Sequence, residues 1–262
     1  MIESRLAHDV LGTGPTVVLL HSGVSDRRMW EHQFAAIADA GYRVVRCDIA
    51  GYGETPAPDG PNNDADDVIA LLDQLDGGAG TVTFVGSSFG GGLALEIAAR
   101  RPERVRALAL LCAGLAGREP SEALVEFRER EEQYLESGDL DSAVEFQVEN
   151  WLGPDADEDA KDLLYLMLAN AYEIQLNAEE YEQTKAEFDL AAIGDTPVLA
   201  AWGGWDLPDY RDVAEYLAAT LPNARALELS WAGHFPSLER PQETLEIVLG
   251  FLKSVHEDEQ AQ

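Results

Sequence analysis

The chain has 262 residues and carries 49 acidic against 18 basic side chains, a formal net charge of −31. That length suits one large α/β domain with room for an insertion, and that charge excludes the basic footprint nucleic-acid binding needs and disfavours anionic membrane surfaces. No apolar run reaches the length of a membrane span, and Met1-Ile2-Glu3-Ser4-Arg5 lacks the basic-then-apolar pattern of a signal peptide, so a cytoplasmic protein is expected.

Lysine is confined to Lys161, Lys185 and Lys253. Abundant acid with little lysine suits a salt-adapted cytoplasm, where counterions screen self-repulsion; a GC-rich, non-halophilic origin would give a similar balance. Cys47 and Cys112 each end an apolar run and read as buried, reduced thiols, with no metal-ligand spacing around them.

Arg5 to Leu11 reads as a first strand, closed by Gly12-Thr13-Gly14-Pro15. Thr16 to Leu20 is a continuous apolar run, the mark of a parallel strand buried on both faces. Ser25-Asp26 can cap a helix through Met29, Trp30, Phe34 and Ile37. Arg43 to Cys47 is the next strand, followed by a long loop from Asp48 to Pro56 and an amphipathic helix over Asp64 to Leu75. Thr81 to Val85 is a strand that runs into Gly86-Ser87-Ser88-Phe89-Gly90 and a helix to Arg100, and Val105 to Cys112 is another strand. This alternation predicts βαβ units and a mostly parallel sheet of about seven strands flanked by helices.

The alternation stops after Cys112. Residues 118–189 hold 22 acids against five bases and show only helical patterns, at Glu122–Ser137, Ser142–Trp151, Ala160–Asn170 and Glu179–Phe188. The expected organisation is therefore a core over 1–117 and 190–262, interrupted by an all-helical insertion at 118–189. The core resumes with a strand at Pro197–Trp202, a helix at Asp209–Ala219, a strand at Arg225–Leu229 and a final helix from Pro241 to Val255.

Gly86–Gly90 fits G-x-S-x-G in the strand-to-helix setting that the motif requires, so Ser88 is the candidate nucleophile and Ser87 is not. In an open parallel sheet the ligand lies beyond the carboxyl ends of the strands. Those ends deliver His21-Ser22-Gly23-Val24, Asp48, Ser88, Gly203-Gly204-Trp205-Asp206 and His234. A serine nucleophile needs an imidazole to take its proton and a carboxylate to hold that imidazole. His8, His32 and His256 fall on elements that do not reach Ser88, and His21 suits a structural role in a turn, which leaves His234 as the base. Asp206 follows its strand at the correct end, whereas Asp195 precedes that strand and Asp209 fits better as a helix cap. The order Ser88, Asp206, His234 is that of α/β-hydrolases.

With those residues in place, the chain resembles the α/β-hydrolase-fold superfamily, in its small, single-chain, capped form, over nearly its whole length. His21-Ser22-Gly23 resembles the family's oxyanion turn, Asp48-Ile49-Ala50-Gly51-Tyr52-Gly53-Glu54-Thr55 its Asp-x-x-Gly-x-Gly-x-Ser loop, and 118–189 occupies its cap position. The resemblance implies an oxyanion hole from the backbone N–H groups of Gly23 and Phe89. Ser22 stands where the family has glycine, which leaves Val24 as the alternative first donor. The resemblance also implies that the cap roofs the pocket. Val24, Trp151, Tyr165 and Trp205 are the expected pocket residues, with Met167 and Tyr172 as further candidates; packing within the cap's own core competes for the cap aromatics.

The implied reaction is serine hydrolysis of a carboxylic ester or lactone, a small-molecule substrate, with no metal or organic cofactor and with the chain a monomer or homodimer. Aspartate-nucleophile members of the fold, the epoxide hydrolases and haloalkane dehalogenases, are disfavoured by Ser88. Cofactor-free haloperoxidase or perhydrolase chemistry, carbon–carbon bond hydrolysis and acyl transfer use the same triad and stay open. His21–Trp30 and Arg101-Pro102-Glu103-Arg104-Val105 are similar to 3-oxoadipate enol-lactonases, but an acidic cap without arginines at obvious pocket positions argues against a dianionic lactone. The alternative from a different class is a non-catalytic ligand-binding protein on the same scaffold.

Overall fold

The computed structural model describes residues 5–184 and 186–257; residues 1–4, 185 and 258–262 of the expected segments lie outside it. Seven strands form one sheet: β1 (His8–Leu11), β2 (Thr16–Leu20), β3 (Arg43–Cys47), β4 (Val82–Ser87), β5 (Val105–Leu111), β6 (Val198–Gly203) and β7 (Ala224–Leu229). Their order is β1-β3-β2-β4-β5-β6-β7, and only β1 runs antiparallel, against β3.

The continuous apolar strands are explained by cover on both faces. Val17, Leu19, Val85 and Ala109 point to one side, with Trp30, Ile37, Phe251 and Leu252. Their neighbours Val18, Leu20, Phe84 and Leu108 point to the other, with Val68, Leu71, Leu95 and Leu217. Successive strand residues alternate faces, so an unbroken Val/Leu run feeds two cores. The covering helices are α1 (Glu31–Asp39), α2 (Asp64–Asp76) and α3 (Phe89–Arg100), followed after the insertion by α7 (Pro208–Thr220), the short α8 (Pro236–Glu239) and α9 (Pro241–Glu257). The expected long helix after Asp26 is shorter: Arg27–Trp30 is a 3-10 turn, started by Asp26 accepting from the Arg28 N–H. Among the described residues no helix is long and apolar enough to cross a membrane.

Among its described residues the insertion contains three helices, α4 (Glu122–Ser137), α5 (Leu140–Trp151) and α6 (Glu158–Leu176). Ser121, Asp139 and Asp157 accept from the backbone N–H three residues on, the local signal that starts each one. Val144, Val148, Leu164 and Met167 pack into the same apolar cluster as Val17 and Val85, so the insertion has no core of its own.

Among the described residues of Glu179–Phe188, which leave out 185, the expected helix is absent. Residues 179–184 return to the core in extended form, with Asn62 and Gln183 paired in a parallel bridge. The Asn62 N–H donates to Glu182 O at 2.9 Å, and the Thr184 N–H donates to Asn62 O at 2.7 Å. With Glu179, Glu180, Glu182 and Glu187 in it, this segment has no apolar stripe to bury as a helix, and backbone pairing to the core loop satisfies it instead. Asp209 also differs from expectation. It lies inside the first turn of α7, and its carboxylate accepts from the Ser121 N–H at 2.8 Å and from the Ser121 hydroxyl, tying the start of the cap to the core.

Candidate active site

Ser88 lies at the turn from β4 into α3 with φ +49° and ψ −111°. It and Cys112 are the only non-glycine residues with positive φ among the described residues. Such a conformation costs about 1–3 kcal/mol and persists only where the surroundings enforce it. They do so here. The Ser88 N–H donates to Leu111 O at 2.9 Å, and the Gly92 and Gly114 N–H groups both donate to Ser88 O at 3.0 Å. Glycine is needed beside the turn because a Cβ at Gly86 would fall 2.6 Å from Gly90 O. The Ser87 side chain is buried with its Oγ unpartnered, so of the two serines only Ser88 faces the cavity.

β6 and β7 bring Asp206 and His234 together. His234 Nδ1 lies 2.8 Å from Asp206 Oδ2, and each side chain is 1% exposed. The other Asp206 oxygen accepts from the Leu207 N–H at 2.7 Å. With its Nδ1–H given to a carboxylate, His234 presents Nε2 as an acceptor. The ring is flanked by Trp151 and Tyr210, each with its centroid 4.3 Å away. The Tyr210 hydroxyl is in hydrogen-bonding range of Ser88, and burial pushes its ionisation well up, so it stays protonated.

Cys112 completes the surroundings of the acid. Its sulfur, an Asp206 oxygen and a His234 nitrogen lie within 4.8 Å of one another, and burial pushes the thiol well above its ordinary value. The Cys112 thiol donates to Gly233 O at 3.7 Å and so packs behind the Asp206–His234 pair.

The loop carrying His234 is clamped by a buried carboxylate. Glu239 accepts from the Gly233 N–H at 2.9 and 3.0 Å, from the Phe235 N–H at 3.1 Å and from the Gly153 N–H at 2.9 Å. The His234 N–H donates to Trp151 O at 2.6 Å. Two residues flanking the imidazole and one end of the cap thus share one anchor.

The turn after β2 is held by His21. Its Nε2 accepts from the Ile49 N–H at 2.9 Å, so the proton is on Nδ1, which donates to Ser22 O at 2.7 Å. Burial lowers its pKa and keeps the ring neutral, the structural role expected. Gly23 abuts the elbow: a Cβ there would lie 3.3 Å from the Phe89 Cβ. Phe89 opens α3, so its N–H is one of the donors a helix start leaves without an intrahelical partner. Asp48 takes no part at the elbow; it accepts from the Arg27 and Glu54 N–H groups at 2.8 Å each and pairs with the Arg27 guanidinium.

A cavity of about 300 Å³ opens beside Ser88, walled by Phe89, Leu93, Leu115 and Phe188 and lined also by Arg128 from the cap and by Asp64 and Glu96. This cap arginine corrects the expectation that none stands at the pocket. Of the expected pocket residues, Trp151 stacks on His234, and Val24 packs half-buried against the core. None of the four, Val24, Trp151, Tyr165 and Trp205, is among the residues that line the cavity. Leu164 and Met167 take the inward face of α6, and the Tyr165 hydroxyl donates outward to Asp141 at 3.3 Å. Trp205 is 63% exposed. Met167 is buried in the cluster shared with the sheet and Tyr172 packs against it, its hydroxyl donating to Glu131 at 2.7 Å.

Tyr210, Glu239 and Arg128 escaped the sequence reading. Tyr210 had one usable signal: Pro208 starts a helix two residues after Asp206, which places Tyr210 one turn from the acid.

A sequence model of the alpha/beta hydrolase fold family matches residues 15–241. The chain is 35% identical over 116 residues to a protein named Epoxide hydrolase 2 from Siraitia grosvenorii, a match covering 42% of this chain and 36% of that protein. The match thus spans about a third of the length of that curated relative. In structure it superposes on a thermophilic esterase from Thermogutta terrifontis with a TM-score of 0.75 at 23% identity, covering 96% of this chain and 94% of the other. It superposes on the enol-lactonase from Burkholderia xenovorans LB400 with a TM-score of 0.72 at 26% identity, covering 95% and 96%.

Proposed function

The chain belongs to the alpha/beta hydrolase fold family, and from that membership we propose that it is a serine hydrolase opening a carboxylic ester or lactone through an acyl-enzyme on Ser88. One observation carries the reading: the strained Ser88 shares its surroundings with a buried His234–Asp206 pair at 2.8 Å, and Tyr210 reaches both sides of that arrangement.

In this reading His234 Nε2 takes the proton from Ser88 Oγ as the oxygen attacks the carbonyl carbon. The backbone N–H groups of Gly23 and Phe89 receive the oxyanion, and Asp206 stabilises the imidazolium that forms. The carbon–oxygen bond to the leaving alcohol breaks, and the alcohol departs with the proton from His234. Water, deprotonated by the same imidazole, then clears the acyl group and returns Ser88 to its resting state. Every step uses side chains or amides of this chain. A serine rather than a carboxylate at the elbow separates the reading from epoxide opening by an aspartate nucleophile.

The test is covalent labelling by a fluorophosphonate probe together with turnover of a broad ester and lactone panel. Labelling and turnover that both vanish in Ser88→Ala support the reading. A wild type that neither labels nor hydrolyses any member of the panel defeats it and favours a ligand-binding role.

A further inference from the structure

We propose that Arg128 makes the cavity beside Ser88 a carboxylate subsite, so that the preferred substrates are esters or lactones carrying a second, ionised acid group. This rests on the serine-hydrolase reading and narrows its substrate class.

Arg128 stands on α4 at the exposed rim of the cavity that holds Ser88, and its positive charge acts on the Tyr210 hydroxyl. The other described cations of the cap are engaged: Arg118 lies over the Tyr216 ring, Arg130 over the Tyr134 ring, and Lys161 pairs with Glu158 at 2.7 Å. Among the described residues Arg128 makes no ion pair, although the cap around it holds 22 acids. Glu131, one turn along α4, is occupied by the Tyr172 and Gln147 side chains.

The acids of the cavity are also spoken for. Asp64 accepts from Asn62 Nδ2 at 2.7 Å and from Gln183 Nε2, and Glu96 pairs with Arg100 at 2.8 Å. The site therefore offers a guanidinium that makes no ion pair among the described residues, in a cavity also walled by the apolar Phe89, Leu93, Leu115 and Phe188. A planar fork of N–H donors suits a carboxylate, and the apolar walls suit the hydrocarbon that separates that carboxylate from the scissile carbonyl. In a chain of net charge −31, long-range repulsion works against any anion, so a local cation is what lets one settle there.

The experiment compares monomethyl esters of the dicarboxylic acids from succinic to suberic with methyl esters of the chain-matched monocarboxylic acids. Salt is held at about 0.5 M KCl so that long-range repulsion is screened. In the wild type at least one hemiester should exceed its neutral counterpart about tenfold in kcat/KM. Arg128→Gln should erase that preference, read as the ratio of kcat/KM for the hemiester to that for its neutral counterpart, and Arg128→Lys should keep part of it.

Binding supplies a readout independent of turnover: Ser88→Ala should bind the preferred hemiester in calorimetry, and Ser88→Ala with Arg128→Gln should not. Neutral esters preferred throughout, or a preference untouched by Arg128→Gln, overturns the carboxylate subsite and leaves the hydrolase reading standing. Failure of the hydrolase reading appears separately, as no ester turnover and no probe labelling.

Discussion

His234 and Asp206 meet through a single 2.8 Å contact between Nδ1 and Oδ2, with both side chains all but removed from solvent. They come from loops 28 residues apart, after β6 and β7, and parallel pairing of those two strands brings the loops side by side. Out of water, such a contact fixes the orientation of the imidazole.

Asp206→Asn tests that dependence. It keeps the shape but turns the imidazole toward the wrong tautomer, so kcat should fall by about 10⁴. Fluorophosphonate labelling of Ser88 should slow alongside it. A variant that labels at the wild-type rate would remove Asp206 from the role.

Glu239 should matter to both stability and catalysis. Its carboxylate satisfies the Gly153, Gly233 and Phe235 N–H groups, all buried. Glu239→Ala strands them and should lower the unfolding free energy by about 3 kcal/mol, read by urea denaturation. Glu239→Gln keeps one acceptor oxygen and should cost less, yet still reduce kcat because the donors flank His234. Wild-type kcat in both variants would show that the clamp does not position the base.

Ser88→Gly should stabilise the fold while abolishing activity. The wild-type serine is held at φ +49° and makes no side-chain cap bond to α3, so glycine relieves strain without losing a cap. A gain of about 1 kcal/mol corresponds to a rise in Tm of about 2–4 °C in a domain of this size. Ser88→Ala should lose activity without that gain. Equal melting of wild type and Ser88→Gly would mean that the elbow stores no strain.

Asp64 predicts a pH signature. Burial, the largest influence, pushes its carboxyl up to about 6 from an ordinary 3.8. A carboxyl raised in the folded state contributes stability that is fully present below its ordinary value and lost as pH rises through about 6. The wild type should therefore lose about 3 kcal/mol relative to Asp64→Asn between about pH 3 and pH 7. Parallel stability curves for the two proteins would contradict this.

How far the site could be read in advance depended on how local its causes are. Ser88, Asp206 and His234 could be placed because each follows a strand whose apolar run is visible in the chain, and parallel strands put all three at one sheet edge. His21 could be separated from His234 because it falls inside a tight turn. Tyr165 and Trp205 were misplaced for the opposite reason. The inward face of α6 is decided by Leu164 and Met167 meeting the core cluster, and the direction of Trp205 by the loop between β6 and α7.

The sequence by itself determined the alternation of strands and helices, the turn at Ser88 and the strand ends that carry Asp206 and His234, because strand periodicity, glycine at a close approach and turn chemistry act over a few residues. Tertiary structure alone decided the extended return of the chain at 179–184, where backbone pairing with Asn62 prevails over helical propensity. It alone joined the cap to the His234 loop through Glu239, put the Tyr210 hydroxyl beside Ser88 and, among the described residues, left Arg128 without an ion pair at the cavity. Each of these depends on contacts between residues far apart in the chain, whose meeting is set by packing rather than by any local preference.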